Sequence, residues 1–348
     1  MAGIAATQQY VIIADRDAAD QCDVFRCLDA GTGRELWKLQ YVTSGNIKDY
    51  GNVPRATPLI HQGRVYTLGG LGDLHCVNLA DGKIVWSKHL ARDFHARVPT
   101  WGYCASPLVV DEKLIVNPGA KEASLVALDC RSGAEVWRTA GLPPAYASFI
   151  VGTFGGLRQI VGYDEKSLGG WNSQSGQRIW TLVPPLPGDF NVPTPVDAGG
   201  RLLLTSENNG TRLYDFAADG RIQPQPTAVN ADLAPDSSTP VLLGGKLFGC
   251  WNSLYCLDAG ANLKTLWTGD DDVFANYAAL IAAPGRLLVA TRHGELLLID
   301  AAAARFTIIS RLRILADDAE VLSHPALVGS RLYLRDMGKI VCVDLSEP

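Results

Sequence analysis

The chain has 348 residues, of which 47% are apolar and 19% charged, with a net charge of −5. These values describe a globular protein able to bury a large core, and they exclude extended disorder. No basic tract suits a nucleic acid, and no apolar run approaches the roughly 18 residues needed to cross a bilayer. The start, MAGIAATQQY, lacks the basic and apolar regions of a signal peptide. The expectation is therefore a cytoplasmic protein if this N-terminus is native, or an exported one whose leader is missing here.

The units are read in chain order. The first, MAGIAATQQYVIIAD with FRCLD and RELW, matches the second in length and pattern. The second shows four short strands, TPLIH, RVYTLGG, LHCVNL and KIVWSKH, separated by HQG and ADGK turns. Their glycines supply the positive φ that tight hairpins require. The segment LDAGTGRELW (28–37) returns as VNLADGKIVW (77–86), LDCRSGAEVW (128–137) and WNSQSGQRIW (171–180). Weaker copies are YDFAADGRIQ (214–223), LDAGANLKTLW (257–267) and IDAAAARFTI (299–308), and VDLSEP (343–348) closes the series. Trp37, Trp86, Trp137 and Trp180 stand eight residues after the repeat Asp or Asn and Trp267 nine, while Gln223 and Ile308 take the Trp place.

A second marker runs in phase. A basic residue opens an apolar strand at Arg64, Lys113, Arg158, Arg201, Lys246, Arg286 and Arg331, at intervals of 40 to 49 residues. Gln9 is the first member of that series. Two markers with one period predict an all-β fold, an eight-bladed β-propeller of four-stranded antiparallel blades with few helices. The eighth unit has three strands on a literal reading, and the whole of 1–348 reads as one propeller domain.

Of the eight cysteines, Cys27, Cys76, Cys256 and Cys342 hold the same position in four repeats. That recurrence predicts a small buried site rather than disulfides, since equivalent points of different blades lie too far apart to bridge. Cys22 and Cys27 are close in sequence, and a bridge between them is open but not expected. No CxxC pair, P-loop, GxSxG or HExxH motif occurs.

The D-x-x-T/S-G-x-x-x-W pattern, clearest in DAGTGRELW and DCRSGAEVW, resembles the repeat of pyrroloquinoline-quinone-like (PQQ-like) propellers and spans nearly the whole chain. The resemblance implies that each Trp packs between neighbouring blades. It also implies one of two kinds of protein. Quinone dehydrogenases of this family hold PQQ with Ca²⁺ or a lanthanide on the propeller axis, whereas BamB-like members bind protein partners without catalysis. The length, the bare blades and the lack of an adjacent Cys-Cys pair resemble the BamB-like subgroup.

Function is expected on the face carrying the loops between blades and the second-to-third strand hairpins. Those loops carry Tyr50, Asn52, Arg55, Trp101, Tyr103, Tyr146, Asn191, Glu207, Asn208, Asp236, Tyr277, Arg292 and His293. Aromatic faces beside amides and carboxylates suit a carbohydrate or another flat polyol, and the same residues equally serve to stitch blades together. Glu207-Asn208-Asn209 offers hard oxygen ligands for Ca²⁺, but ENNG is foremost a tight turn. Asp49 or Asp236 is a candidate general base, and His293 or His324 a candidate for acid–base work in a lyase-like reading with Arg55, Arg292, Tyr50 and Tyr277.

The expectation is a non-catalytic, monomeric binding propeller that takes a protein, peptide or glycan, with no cofactor, no resident metal, no nucleic acid and no transmembrane segment. A PQQ- and Ca²⁺-dependent dehydrogenase and a carbohydrate-active enzyme are the alternatives. Related propellers are mostly exported, which points to a periplasmic or secreted protein.

Overall fold

The computed structural model describes residues 1–49, 51–275, 277–316 and 319–346. Among them, eight antiparallel sheets follow one another along the chain, seven of four strands and the last of three. The fold is an eight-bladed β-propeller. Its blades span Ala5–Val42, Leu59–His89, Leu108–Thr139, Ile150–Leu182, Val196–Asn230, Val241–Gly269, Ala278–Arg313 and Ala326–Asp344. Within each blade the strands pair in sequence order, so every internal connection is a hairpin. Among the described residues, helix is confined to Leu90–Phe94 and a 3₁₀ turn, Asp272–Phe274.

The chain divides into two compact units. One comprises Met1–Ser148, Gln174–Gln177 and Ser323–Pro348, and so holds blades 1 to 3 and blade 8. The other comprises Phe149–Ser173 and Arg178–Leu322, and holds blades 4 to 7. In both, the core lies between sheets. Ile12, Phe25 and Trp37 of blade 1 pack on Val65 and Val77 of blade 2. Tyr66 and Leu74 of blade 2 pack on Leu114 and Val126 of blade 3. In the second unit, Leu203 and Leu213 meet Leu247 and Leu257, and Phe248 and Trp267 meet Leu280 and Val289. A strand such as Arg64–Leu68, covered on both faces, is therefore apolar along most of its length, whereas outer strand Glu35–Val42 buries alternate side chains.

The strand register explains the recurring cysteine. Across the ladder, Trp37 faces Cys27, Trp86 faces Cys76, Trp137 faces Ala127, Trp180 faces Gly170 and Trp267 faces Cys256. A β-bulge follows each pair. The small residue leaves room for the indole, and the bulge re-aims the outer strand. Cys27, Cys76 and Cys256 are fully buried. Cys342 departs from the expectation and is exposed, because Ile340–Asp344 is an edge strand with no indole strand paired outside it among the described residues. All eight cysteines are free thiols, Cys22 and Cys27 included.

The indoles reach the following blade. Trp37 Nε1 donates to the Leu79 carbonyl at 2.7 Å, and Trp86 Nε1 to the Cys130 carbonyl at 3.1 Å. Beneath them lie Gly82 and Gly133, both at φ near 69°, where an added Cβ would come within 2.7 and 2.6 Å of the ring. Only glycine meets both demands at once. In the second unit Trp180 donates instead to Gln159 Oε1 of its own blade, 2.7 Å away, and stands edge-on to Phe216 of blade 5. Trp267 lies 5.8 Å from Phe306 of blade 7.

The basic marker is a second inter-blade tie. Arg64 and the Tyr66 hydroxyl donate to the Cys130 carbonyl, and Lys246 donates to that of Ala301. Arg331 and the Tyr333 hydroxyl donate to the Ala30 carbonyl, each at 2.9 Å, which joins the last blade to the first. Each accepting carbonyl belongs to the residue after a repeat aspartate (Asp129, Asp300, Asp29). The aspartate shapes that turn. Asp129 Oδ1 accepts from the Arg131 and Ser132 amides and from the Ser132 hydroxyl, at 2.7–3.0 Å. These donors, the hydroxyl first, hold its carboxyl below the ordinary range. Asp129→Ala should therefore cost about 1 kcal/mol. A thermal shift would register it, and Asp129→Asn should recover most of the loss because it keeps the acceptor.

Candidate functional site

The loop residues fall into two sets, one in each compact unit. In the first unit, the chain after blade 1 turns through Asp49, at φ 57°, and is held by Arg55, whose guanidinium donates to the carbonyls of Lys48, Asp49 and Gly51. Asn52 is buried, with its side-chain oxygen accepting from the Ile47 amide at 2.9 Å and its nitrogen donating to Asp20 at 2.8 Å. Tyr103 lies in the core beneath this loop and donates to the Pro118 carbonyl at 3.1 Å. Burial pushes its phenol well above the ordinary range. These side chains build the loop. Tyr50 lies outside the described residues.

What the first unit offers to solvent is an aromatic corner. Trp101 and Tyr146, both half-buried, meet edge-on with ring centres 5.4 Å apart and planes at 78°. Lys48 Nζ stands 5.4 Å over the indole, and Asp49 Oδ2 accepts from its Nε1 at 3.0 Å. The Asp49 carboxylate thus anchors the indole. His324, in the same unit, is held through Nδ1 by the Pro325 carbonyl at 3.0 Å, and burial lowers its affinity for a proton.

In the second unit, Glu207-Asn208-Asn209 forms the hairpin tip of blade 5 and grips the preceding loop. Glu207 Oε1 accepts from the Phe190 amide at 3.2 Å, and Asp189 accepts from the Asn208 amide at 2.7 Å. The Asn209 carboxamide is engaged at both ends, by Leu186 and Asp189. Calcium needs six to eight oxygen ligands. The Asn209 carboxamide serves the turn, and no group of three or more His, Cys, Asp or Glu that could hold a metal occurs among the described residues. The tip therefore reads as a structural turn. Glu207 nevertheless holds its proton more tightly than an ordinary carboxyl, first through burial and then through Asp189 and Asp236.

The remaining residues of this unit do not come together as a catalytic set. Asp236 is exposed and accepts from the Ser237 hydroxyl at 2.8 Å. Arg292 pairs with Glu320, and its carbonyl accepts from the Val321 amide. His293 is exposed at the hairpin tip of blade 7, where its carbonyl accepts from Arg313. Burial raises the Tyr277 phenol to about 12. Asn191 is buried at φ 53°, and its side-chain oxygen has no hydrogen-bond partner.

Two features escaped the sequence reading. Asp23, Arg16, Tyr41 and His75 form a buried polar cluster between blades 1 and 2. Arg212 is buried in blade 5 beside a groove of about 280 Å³. The available signal was an ionisable residue three positions before the repeat Asp or Asn, where His75 and Arg212 both stand.

Solved structures share this architecture. BamB from Moraxella catarrhalis matches with a TM-score of 0.67 and 18% identity, covering 98% of this chain and 92% of that one. A europium-containing methanol dehydrogenase matches at 0.68 and 12% identity, over 95% of this chain and 81% of that one. A quinohemoprotein alcohol dehydrogenase from Comamonas testosteroni gives 0.65 and 13%, over 96% and 69%. At these identities the likeness is one of fold. No curated protein matches in sequence. Residues 21–302, most of the repeat array, match the family model described as outer membrane protein assembly factor BamB, and the chain belongs to that family.

Proposed function

We propose that this propeller is a non-catalytic binding module that takes a protein or peptide partner through its inter-blade loops, without a quinone or a resident metal. The observation that carries the reading is how the candidate catalytic groups are used. Asp49 is engaged by Trp101, Arg55 by three carbonyls, Glu207 by the Phe190 amide and Arg292 by Glu320. The same loops leave apolar surface in water in each unit, with Phe190 50% and Leu186 55% exposed in the second and Trp101 and Tyr146 half-buried in the first. Aromatic and apolar side chains presented on a rigid scaffold are what protein interfaces use as anchors. Membership of a family described as an outer membrane protein assembly factor supports a partner, and a place, in the cell envelope.

Site-specific photo-crosslinking in cells tests this reading. A photoreactive residue at Trp101 or Phe190 should give a discrete protein adduct, whereas one at Val85, exposed on an outer strand of blade 2, should give none. Equal labelling at all three positions would defeat the loop assignment. Turnover of a quinone dye couple by protein supplied with PQQ and Ca²⁺, or new unsaturated ends from a uronate polymer, would replace the binding reading with one of the enzymatic ones.

A further inference from the structure

Arg212 is the only residue of its strand, Gly210–Tyr214, that carries a charge, and it is 2% exposed. A buried guanidinium normally has a carboxylate beside it, because an unpaired charge in a low-dielectric interior is costly. Here, among the described residues, no carboxylate lies within ion-pair distance. Its partners are the Tyr214 hydroxyl at 3.3 Å and the Ser206 hydroxyl at 3.4 Å, both long and both neutral, and its Nε has none. The Tyr214 ring stands 5.9 Å from the guanidinium carbon, and the nearby Tyr163 hydroxyl is also buried without a partner. Five donors in a fixed fork, with two weakly used, make an incomplete site for a planar anion.

Arg212 lines the groove of about 280 Å³ that runs from the loop after blade 4 across the outer half of blade 5. The groove has a second polar end and an apolar wall. Glu207 lines it too, its proton held first by burial and then by Asp189 and Asp236 nearby. Leu186, Val229 and Pro226 supply the wall, and the first two are exposed by 55% each. A simple anion would suit Arg212 but meet Glu207, and a simple cation the reverse. A ligand that carries both charges on an apolar body meets all three features.

We infer that the blade-5 groove is a binding site for a small zwitterion with an apolar side chain, an α-amino acid or a dipeptide. Its carboxylate is taken by Arg212, its ammonium by Glu207, and its side chain lies against Leu186 and Val229. The bidentate fork of Arg212 supplies the discriminating contact, and the field of Asp189 and Asp236 strengthens the hold on the ammonium. This site goes beyond the loop-mediated partner binding proposed above and does not depend on it. Loss of the crosslink would leave it standing, and loss of the zwitterion would leave the crosslink.

Three ligands of one shape separate the contributions. L-Leucine carries both charges, isovalerate only the carboxylate and isopentylamine only the ammonium. Titration calorimetry on the intact protein should show leucine binding at least roughly tenfold more tightly than either analogue. Glu207→Gln should bring leucine down to the level of isovalerate, and Arg212→Met should bring it down to that of isopentylamine. Because Arg212 is buried, its replacement tests folding as well. The unaltered protein, labelled with ¹⁵N-arginine, gives the independent readout: the Arg212 Nε–H resonance should move with leucine and with isovalerate, and stay with isopentylamine. Equal affinity for all three, an unmoved Arg212 signal, or no heat from leucine at about 10 mM would overturn the assignment.

Discussion

Replacing Trp37 with alanine should cost about 3–5 kcal/mol, the largest single loss expected in the first unit. The indole is buried between blades 1 and 2, with its ring on Gly82 and its Nε1 bonded to the Leu79 carbonyl at 2.7 Å. Alanine removes the packed ring, opens a cavity that two rigid sheets cannot close, and leaves the half-buried Leu79 carbonyl without that donor. Trp37→Phe keeps most of the packing and should cost less, with about 1 kcal/mol assignable to the hydrogen bond. Gly82→Ala is the complementary test. Its Cβ would stand 2.7 Å from the indole at a φ of 69°, so it meets both a clash and backbone strain. In a Trp37→Ala background the clash disappears and only the strain, about 1 kcal/mol, remains. Urea denaturation of the two single variants and the double variant should therefore show strong non-additivity. Strictly additive losses would mean that ring and glycine do not meet.

The second large effect is a dependence on pH that runs opposite to ordinary acid denaturation. Asp23 is 1% exposed. Burial lifts its pKa from the ordinary 3.8 to about 6, against the opposing pull of Arg16 at 2.8 Å and the Tyr41 hydroxyl at 3.2 Å, with Asp73 adding to the rise. Between about pH 4 and 6 the folded chain holds this proton and the unfolded chain does not. Stability from this group is thus complete below pH 4 and is lost as pH rises through 6, a change of about 3 kcal/mol. Asp23→Asn keeps an oxygen to accept from Arg16, places an amide that can donate to the Tyr41 oxygen, and removes the titration. His75, whose ring lies tilted against Tyr41 with centres 4.4 Å apart, has its pKa lowered by burial and so acts in the reverse sense, losing stability as pH falls. It is common to both proteins and cancels in the difference. Urea midpoints measured from pH 4 to 7 should fall for the parent chain relative to Asp23→Asn, and parallel profiles would show that Asp23 titrates normally.

The two effects differ in how visible they are along the chain. Trp37 and Gly82 stand in a pattern repeated blade after blade, and the repetition itself marks the positions where sheets meet. Asp23 follows no repeat, and His75, although it stands three residues before the repeat Asn78, gives no sign there of what it meets. They matter because strands from blades 1 and 2 bring them within reach of Tyr41, and a linear reading contains no term for that encounter. The basic marker lies between these cases. Arg64, Lys246 and Arg331 announce themselves by period, but their task, closing on the carbonyl after the next blade's aspartate, depends on how blades stack.

The candidate site was less legible, for the same reason. Loop residues were selected by type and approximate position, and type does not reveal what a side chain is already bonded to. Asn52 and Tyr103 look like ligand contacts in a string of letters, and in the fold they are a loop clamp and a core phenol. Cys342 shares the register of Cys27 and Cys76, yet burial there requires an outer strand carrying a tryptophan across the ladder.

Sequence alone determined the blade count, the strand order, the place of each indole and the kinship, because all four rest on local periodicity and turn chemistry that the chain repeats. Tertiary structure alone decided which polar groups are satisfied. The free Nε of Arg212 and the protonated tendency of Asp23 arise only when neighbouring strands exclude water and either supply a partner or withhold one.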